Sequence, residues 1–166
     1  MPLPHPDLAA VTVGCAVLTV SDTRTPATDK SGQLLQVKLT AAHHSVAAYA
    51  ILPDEREAVG RQVQTWVANG SIAVIVLNGG TGLAPRDTTY EAIAALLSKT
   101  LLGFGEIFRQ LSYAEIGSRA MASRAIAGVC ESTLIFSLPG FSKAVALAMD
   151  KLILPELVHL TTPLRG

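Results

Sequence analysis

Charged residues and cysteines are both scarce in this sequence of 166 residues. Asp, Glu, Lys and Arg make up 16% of the chain, against about 25% in typical soluble proteins. So few charges favour an oligomer, in which part of the surface is covered. The formal net charge is zero, so broad electrostatic attraction to nucleic acid or anionic lipid is not expected. The two cysteines, Cys15 and Cys130, lie in apolar runs and are expected to be buried, reduced thiols.

Targeting segments are missing as well. Residues 1–7 carry three prolines and lack the basic and apolar regions of a signal peptide. No apolar run reaches the ~18 residues that a membrane span needs. We therefore expect a cytoplasmic protein with no membrane association. The length fits one domain, so we expect a flexible arm at residues 1–10 and a single domain over residues 11–166.

Apolar runs alternate with amphipathic stretches through the first half of the chain. Continuous apolar runs bounded by turn residues are typical of buried parallel strands, and apolar residues spaced three and four apart are typical of helices. The pattern predicts strands at 11–20, 45–52 and 72–77, and helices at 33–42, with Ser31 as its cap, 55–69 and 89–97. Such alternation indicates an α/β fold with three layers, α/β/α, around a mostly parallel central sheet.

The second half is less regular. We expect helix and loop around 104–113, then two short, antiparallel strands at 125–129 and 133–136 joined by a tight turn. A helix is predicted over 141–152. Pro155 should break or kink the chain just after that helix, because proline lacks the backbone donor that a helix needs.

A glycine-rich loop directly follows the clearest predicted strand. Gly79, Gly80 and Gly82, with Thr81 between them, allow positive φ angles and close approach of backbone amides to an anion. The next helix would add further donors at its N-terminus, and ligands of open α/β sheets bind at this edge. The spacing matches neither a Walker A loop nor the dinucleotide fingerprint. The loop is either a phosphate-binding loop or a tight turn that uses glycine for geometry alone.

Three charged side chains are expected near this loop. Arg86 and Asp87 lie seven and eight residues after Gly79, and Asp54 follows the second predicted strand. Arg86 would pair with a phosphate, while Asp54 and Asp87 would hold Mg²⁺ through carboxylate oxygens. Two alternatives stay open: Arg86 and Asp87 form a plain surface pair, or Asp54 caps the next helix.

Further polar residues follow strands or begin helices. Ser21 and Asp22 close the first predicted strand, and Ser31 opens the first helix. Each either lines the ligand site or serves only as a loop or cap residue. Pro139 and Gly140 end the last strand, and Lys143 begins the next helix, where it would bind an anion or simply be solvated.

Taken in order, these segments resemble the MoaB/Mog family of molybdopterin-binding proteins, and the MoaB branch more than Mog. The resemblance runs from about residue 11 to residue 157. It rests on the segments Leu18–Asp22, Asp29–Gly32, Gly79–Gly82 with Pro85–Asp87, Ser123–Ala125, Ser132–Ile135 and Leu138–Gly140. The helix at 104–113 carries the similarity to MoaB.

The resemblance implies a trimer or hexamer that binds molybdopterin and activates it with Mg-ATP. The pterin phosphate attacks the α-phosphorus of ATP, and pyrophosphate leaves. The family's two essential aspartates map onto Asp54 and Asp87, which would position Mg²⁺, while Arg86 and Lys143 would offset the triphosphate charge. The residues expected to shape the pterin and nucleotide sites are Ser21, Asp22, Ser31, Gly79, Gly80, Thr81, Gly82, Pro139 and Gly140.

The sequence departs from the family pattern at three positions. Ala84 stands where related loops often have threonine, and Tyr90 where they often have a helix-starting proline. These changes are expected to alter the order of the loop, and Phe141 is expected to reshape the pterin pocket. The alternative function is therefore a non-catalytic molybdopterin carrier or scaffold. A molybdenum insertion protein is an expected partner in either case.

Overall fold

Six strands form one mixed sheet in the computed structural model, which describes residues 11–166. The arm expected at 1–10 lies outside the described residues. The strands are β1 (Gly14–Val20), β2 (Ser45–Leu52), β3 (Val74–Asn78), β4 (Lys99–Thr100), β5 (Ile126–Cys130) and β6 (Thr133–Leu138). Their order across the sheet is β2-β1-β3-β6-β5-β4. Strands β2, β1, β3 and β6 are parallel to one another, and β5 runs antiparallel to both of its neighbours, β6 and β4.

Burial on both faces explains why the central strands could be predicted from the sequence. Every residue of β3 and of β6 is buried, and β1 is buried after its first residue. Strands covered on both faces need continuous apolar runs, which is what the sequence has here. The predicted strand at 45–52 is confirmed with its bounds, and the antiparallel pair β5–β6 is confirmed with bounds shifted by one or two residues.

Helices cover both faces of the sheet. They are α1 (Lys30–Ala41), α2 (Arg56–Val67), α3 (Thr89–Ala94), α4 (Leu102–Ile116), α5 (Ser142–Ala148) and α6 (Leu154–Thr161). One core cluster contains Leu35, Phe108 and Leu157 and unites α1, α4, α5 and α6 with the sheet. The other contains Val59 and Ile93 and unites α2 and α3 with the opposite face. The three-layer α/β/α prediction is confirmed.

Two predictions about helix ends are wrong. The cap of α1 is Asp29, whose Oδ1 accepts from the Gly32 amide at 2.9 Å, and not Ser31. Pro155 does not break the chain, because a π-helical turn at Met149–Ile153 links α5 to α6 and places the proline in the first turn of α6. A proline there needs no intrahelical donor. Across residues 11–166, every helix is too short or too polar to cross a bilayer.

The parallel strands bring four loops to one edge of the sheet. At the carboxyl ends of β1, β2, β3 and β6 the chain continues into Ser21, Pro53, Gly79 and Pro139. Two of these loops are joined directly, since the Gly79 amide donates to the Leu138 carbonyl at 2.9 Å. The fold therefore gathers the candidate residues that follow different strands into one region.

Phe136 of β6 provides a test of this core. Its ring is 1% exposed and meets the Phe104 ring edge-on, with centroids 5.2 Å apart. We expect Phe136→Ala to lower the free energy of unfolding by about 3–5 kcal/mol, because it leaves a cavity that the sheet cannot close. Phe141→Ala is the control, since that ring is 76% exposed. Urea denaturation measures both, and equal losses would contradict the assignment of Phe136 to the core.

Candidate functional site

The glycine loop after β3 has a backbone that other residues do not fit. Gly79 and Gly80 have φ angles of +101° and +69°. A Cβ atom at Gly79 would lie 2.2 Å from the Val20 carbonyl oxygen, and one at Gly80 would lie 2.1 Å from Thr89 Oγ1. Both the left-handed conformation and the close packing therefore require glycine. Both interpretations of the loop need this geometry, so the choice between an anion-binding loop and a plain tight turn stays open.

Asp54 is buried beside this loop, with 8% of the residue exposed. Its Oδ1 accepts from the Thr88 amide at 3.1 Å, from Thr88 Oγ1 at 2.8 Å and from Thr89 Oγ1 at 3.4 Å. It therefore caps α3, whereas the cap position of α2 is Glu55, which makes no side-chain bond. The alternative that Asp54 caps the helix after it is wrong. Its Oδ2 makes no hydrogen bond to any residue between 11 and 166.

Asp87 stands at the other end of the loop. Its Oδ2 accepts from the Ala84 amide at 3.1 Å, and a Cβ atom at Gly82 would lie 2.7 Å from that oxygen. Asp54 borders Gly80 in the same way, at 2.6 Å from its Oδ2. The two carboxylates thus contact glycines two positions apart. Within residues 11–166 no group of three or more His, Cys, Asp or Glu side chains converges, so a bound cation would rely on these two carboxylates and on its own ligands.

Arg86 is paired with Asp22 across two loops. Its Nε donates to Oδ2 at 2.8 Å and its Nη2 donates to Oδ1 at 2.7 Å. The same Oδ1 accepts from the Asp54 amide at 3.2 Å. The hydrogen bond from Arg86 holds the pKa of the Asp22 carboxyl below its usual range, and that bond also raises the pKa of Arg86. The guanidinium that was expected to bind phosphate is thus held by a carboxylate, although 60% of its side chain is exposed.

A polar cavity of about 290 Å³ opens beside this pair. Ser31 borders it and donates from Oγ to the Gly140 carbonyl at 2.9 Å, while Ser21 Oγ accepts from the Arg24 amide at 3.1 Å. The side chains of Arg24 and Lys30 also line it. Sequence reasoning gave neither cation a role, although Lys30 lies within the segment Asp29–Gly32 and Arg24 lies two residues after the segment Leu18–Asp22.

A second, larger cavity of about 500 Å³ lies on the other side of Gly140. It is bordered by the whole glycine loop, by Pro139 and Asp87, and by the apolar side chains of Phe108, Ile116 and Phe141. Ser123 also borders it, and its buried Oγ has no hydrogen-bond partner within the described chain. Gly140 and Phe141 line both cavities. A mainly apolar cavity and a polar cavity therefore lie on either side of the backbone at Gly140 and Phe141.

Lys143 is not brought into either cavity. Its side chain is on the exposed side of α5 and borders a separate hollow with Glu115, Asp150 and Lys151. The position near the start of α5 was read correctly, but the helix turns this lysine away from the glycine loop. The structure gives the anion-binding interpretation of Lys143 no support, because Lys143 borders neither of the two cavities beside Gly140.

Arg124 is a site residue to which sequence reasoning gave no role. It precedes β5 and reaches across to the loop, where its Nε and Nη2 donate to the Gly82 carbonyl at 3.0 and 2.6 Å. Its Nη1 donates to Glu91, and its guanidinium lies 4.9 Å from the ring centroid of Tyr90. Only its place in the segment Ser123–Ala125 marked it, because contacts between residues about 40 positions apart leave no periodic signal.

Comparison with known proteins identifies relatives along nearly the whole chain. Residues 16–159 match a family described as "Probable molybdopterin binding domain". The molybdenum cofactor biosynthesis protein B of Bacillus subtilis (strain 168) is 54% identical over 162 residues, covering 97% of this chain and 95% of that protein. The resemblance read from the sequence motifs is confirmed.

Solved structures agree with the sequence comparison. A crystal structure of a molybdenum cofactor biosynthesis protein B has a TM-score of 0.91 at 51% identity and covers 93% of this chain and 97% of its own. The tungsten cofactor synthesizing protein MoaB from Pyrococcus furiosus has a TM-score of 0.85 at 34% identity and covers 95% of this chain and 100% of its own. The fold and the MoaB branch are therefore shared.

Gly80 gives a direct test of the loop geometry. We expect Gly80→Ala to destabilise the protein by about 1–3 kcal/mol, because the new Cβ meets Thr89 and Asp54 at a positive φ. Gly60→Ala in α2 is the matched control: no atom lies within 4 Å of a Cβ there, so a gain of about 0.5–1 kcal/mol is expected. Thermal unfolding of both variants measures the difference. A neutral Gly80→Ala variant would contradict the packing described.

Proposed function

Since this chain belongs to the molybdopterin-binding family of molybdenum cofactor biosynthesis proteins, we propose that it binds molybdopterin and adenylylates it with Mg-ATP. In this reaction a terminal phosphate oxygen of the pterin bonds to the α-phosphorus of ATP. The bond from the α-phosphorus to the oxygen that bridges to the β-phosphate breaks, and that oxygen leaves with pyrophosphate. The product is adenylylated molybdopterin.

The observation that carries the proposal is the pair of carboxylates set against the glycine loop. Asp54 contacts Gly80 and Asp87 contacts Gly82, where helix α3 also begins. Phosphoryl-type transfer needs charge neutralisation and in-line placement more than it needs a protein nucleophile. A glycine loop flanked by two carboxylates and two cavities would supply those needs.

The donor set suits Mg²⁺. This ion commonly takes one or two protein carboxylates and fills its remaining positions with phosphate and water. Asp54 Oδ2 and Asp87 Oδ1 make no hydrogen bond to residues 11–166 and so remain free as ligands. When bound, the cation would neutralise phosphate charge. Thr88 and Thr89, which donate to the other Asp54 oxygen, would hold that carboxylate in one orientation.

Basic side chains would neutralise the phosphate charge that the cation leaves. Arg86 would reach a phosphate if the anion displaced Asp22, because 60% of the arginine side chain is exposed. Arg24 and Lys30 border the polar cavity and would take the part that sequence reasoning gave to Lys143. Ser21, Ser31, Pro139 and Gly140 would shape the walls.

The two cavities would accommodate the two ring systems. The larger one is bordered by Phe108, Ile116, Pro139 and Phe141, and apolar slots with a few polar groups are typical of heterocycle sites. The smaller one is polar. Because they meet at Gly140, next to Gly79, phosphates joined to both rings would converge on the glycine loop.

A non-catalytic carrier is the second candidate function. It is favoured by the pairing of Arg86 with Asp22, which leaves the expected phosphate ligand already neutralised. Ala84 also lacks the hydroxyl that related loops often have there. In this case pterin binding would persist and no adenylate would be transferred.

A homo-oligomer, either trimer or hexamer, is part of the same proposal. Large apolar side chains are exposed along α4 and the 3-10 turn after it: Leu102, Ile107, Tyr113, Ile116 and Met121. Exposed apolar patches of this kind mark interaction surfaces. A molybdenum insertion protein would receive the product, and two free thiols fit a cytoplasmic location. Native mass spectrometry at micromolar concentration tests the oligomer, and a monomer would rule it out.

A single-turnover assay separates the two functions. The protein is mixed with molybdopterin and with ATP labelled at the α-phosphate, in the presence of Mg²⁺. Label on the pterin with release of pyrophosphate identifies the adenylyltransferase. Pterin binding without label identifies the carrier, and absence of binding contradicts both.

Asp87→Asn tests the assigned role of the carboxylate. We expect adenylate transfer to fall by about 100-fold or more, as when one electrostatic group is removed from an active site, while the pterin dissociation constant stays within about twofold. Chelation of Mg²⁺ should abolish transfer in the wild type. Asp150→Asn is the control, because that carboxylate pairs with Lys38 away from the loop. Full turnover by Asp87→Asn would show that this carboxylate does not hold the metal.

A further inference from the structure

Arg124 joins the middle of the glycine loop to the start of α3. Two of its nitrogens donate to the Gly82 carbonyl, and Nη2 also lies 3.4 Å from the Asp87 carbonyl oxygen. A third nitrogen donates to Glu91. The planar, multi-donor guanidinium is suited to such a contact, because it serves several acceptors without changing its own conformation.

The loop has little else to hold it at this point. Between residues 81 and 86, the backbone hydrogen bonds found within the described chain are internal, from the Ala84 amide to Asp87 and from the Asp87 amide to the Ala84 carbonyl. Among the described residues, only Arg124 donates to the Gly82 carbonyl. Without Arg124, the backbone of residues 81–86 would have no hydrogen bond to the rest of the described chain, and only the Arg86 side chain would tie it there, through Asp22.

The position of Gly82 determines that of the Asp87 carboxylate. Asp87 Oδ2 packs against Gly82, where a Cβ atom would stand only 2.7 Å away. A shift of the Gly82 peptide would therefore displace the carboxylate or open a gap beside it. Arg124 also contacts the carbonyl of Asp87 itself, so one side chain restrains both ends of this contact.

Arg124 is itself fixed from two sides. The hydrogen bond from Arg124 holds the pKa of the Glu91 carboxyl below its usual range, so Glu91 stays ionised at neutral pH. The ring of Tyr90 packs against the guanidinium with a cation–π geometry. Tyr90 occupies the position where related loops often have proline, and here it supplies the aromatic face that supports Arg124.

We propose that Arg124 is a positioning residue, which sets the Asp87 carboxylate at the nucleotide site by holding the Gly82 carbonyl. Its effect on turnover rests on the proposed adenylate transfer. Its effect on the loop does not, and the two are measured separately.

The loop is tested without substrate by amide hydrogen exchange of residues 81–90. In Arg124→Ala we expect exchange at least about tenfold faster in this segment, because the Gly82 carbonyl loses the hydrogen bonds that tie it to the segment before β5. Lys38→Ala is the matched control: it breaks an ion pair with 22% side-chain exposure at Lys38, against 24% at Arg124, far from the loop. In Lys38→Ala, the amides of residues 81–90 should exchange at the wild-type rate.

The functional consequence is tested through Mg²⁺. A displaced Asp87 should raise the Mg²⁺ concentration for half-maximal transfer by about tenfold, a change of ~1.4 kcal/mol. The dissociation constant of molybdopterin without ATP should stay within about twofold of the wild type. In Arg124→Lys, the Mg²⁺ concentration for half-maximal transfer should lie between the values of the wild type and of Arg124→Ala. The reason is that an ammonium lacks the planar set of donors with which a guanidinium binds Gly82 and Glu91 together. Arg124→Lys also carries the test if Arg124→Ala does not fold.

Unchanged exchange at 81–90 together with unchanged Mg²⁺ dependence would overturn the proposal. So would faster exchange spread evenly over all elements, because that result would make Arg124 a general stabilising residue. If the wild type transfers no adenylate, the proposed reaction fails, while the exchange comparison still decides whether Arg124 holds the loop.

Discussion

Asp54, through its buried carboxylate and its backbone amide, joins three chain segments, and the geometry of the candidate site depends on it. Its Oδ1 accepts from Thr88 and Thr89 at the start of α3, while its amide donates to Asp22 after β1. A buried carboxylate is costly unless it is hydrogen-bonded, so these donors cannot be lost without loosening the loop. Its other oxygen packs against Gly80 and, with Thr89 Oγ1 and the positive φ, disfavours a side chain there.

The arrangement of strands could be predicted because burial on both faces leaves a direct record in sequence. The run of β3 is apolar at nearly every position, and the glycines after it mark the backbone turn. Once the sheet was taken as parallel, the residues after β1, β2 and β3 had to meet at one edge. Asp54 and Asp87 are therefore predicted to share a region, while for Asp22 the sequence leaves open a loop or cap role.

Pairings across long sequence separations could not be predicted. Arg86 was expected to face a phosphate, but Asp22 lies 64 positions earlier and binds its guanidinium. Arg124 reaches Gly82 across 42 positions. Neither contact can be inferred from periodicity or from local turn chemistry. For Lys143, the sequence correctly predicts a place at the start of a helix. It does not predict the rotation of α5, which decides the direction in which the lysine side chain points.

The pairing of charges bears on which form of the nucleotide would bind. Arg86 is paired with Asp22 and Arg124 with Glu91, so neither arginine forms an ion pair with the carboxylate of Asp54 or of Asp87. Two such carboxylates beside the loop repel a free triphosphate, and the repulsion is stronger where the surroundings exclude water. A divalent cation turns this repulsion into a net attraction, because it attracts both the carboxylates and the phosphates. If the chain carries out the proposed reaction, we therefore expect the metal complex of ATP to be the form that binds as well as the form that reacts.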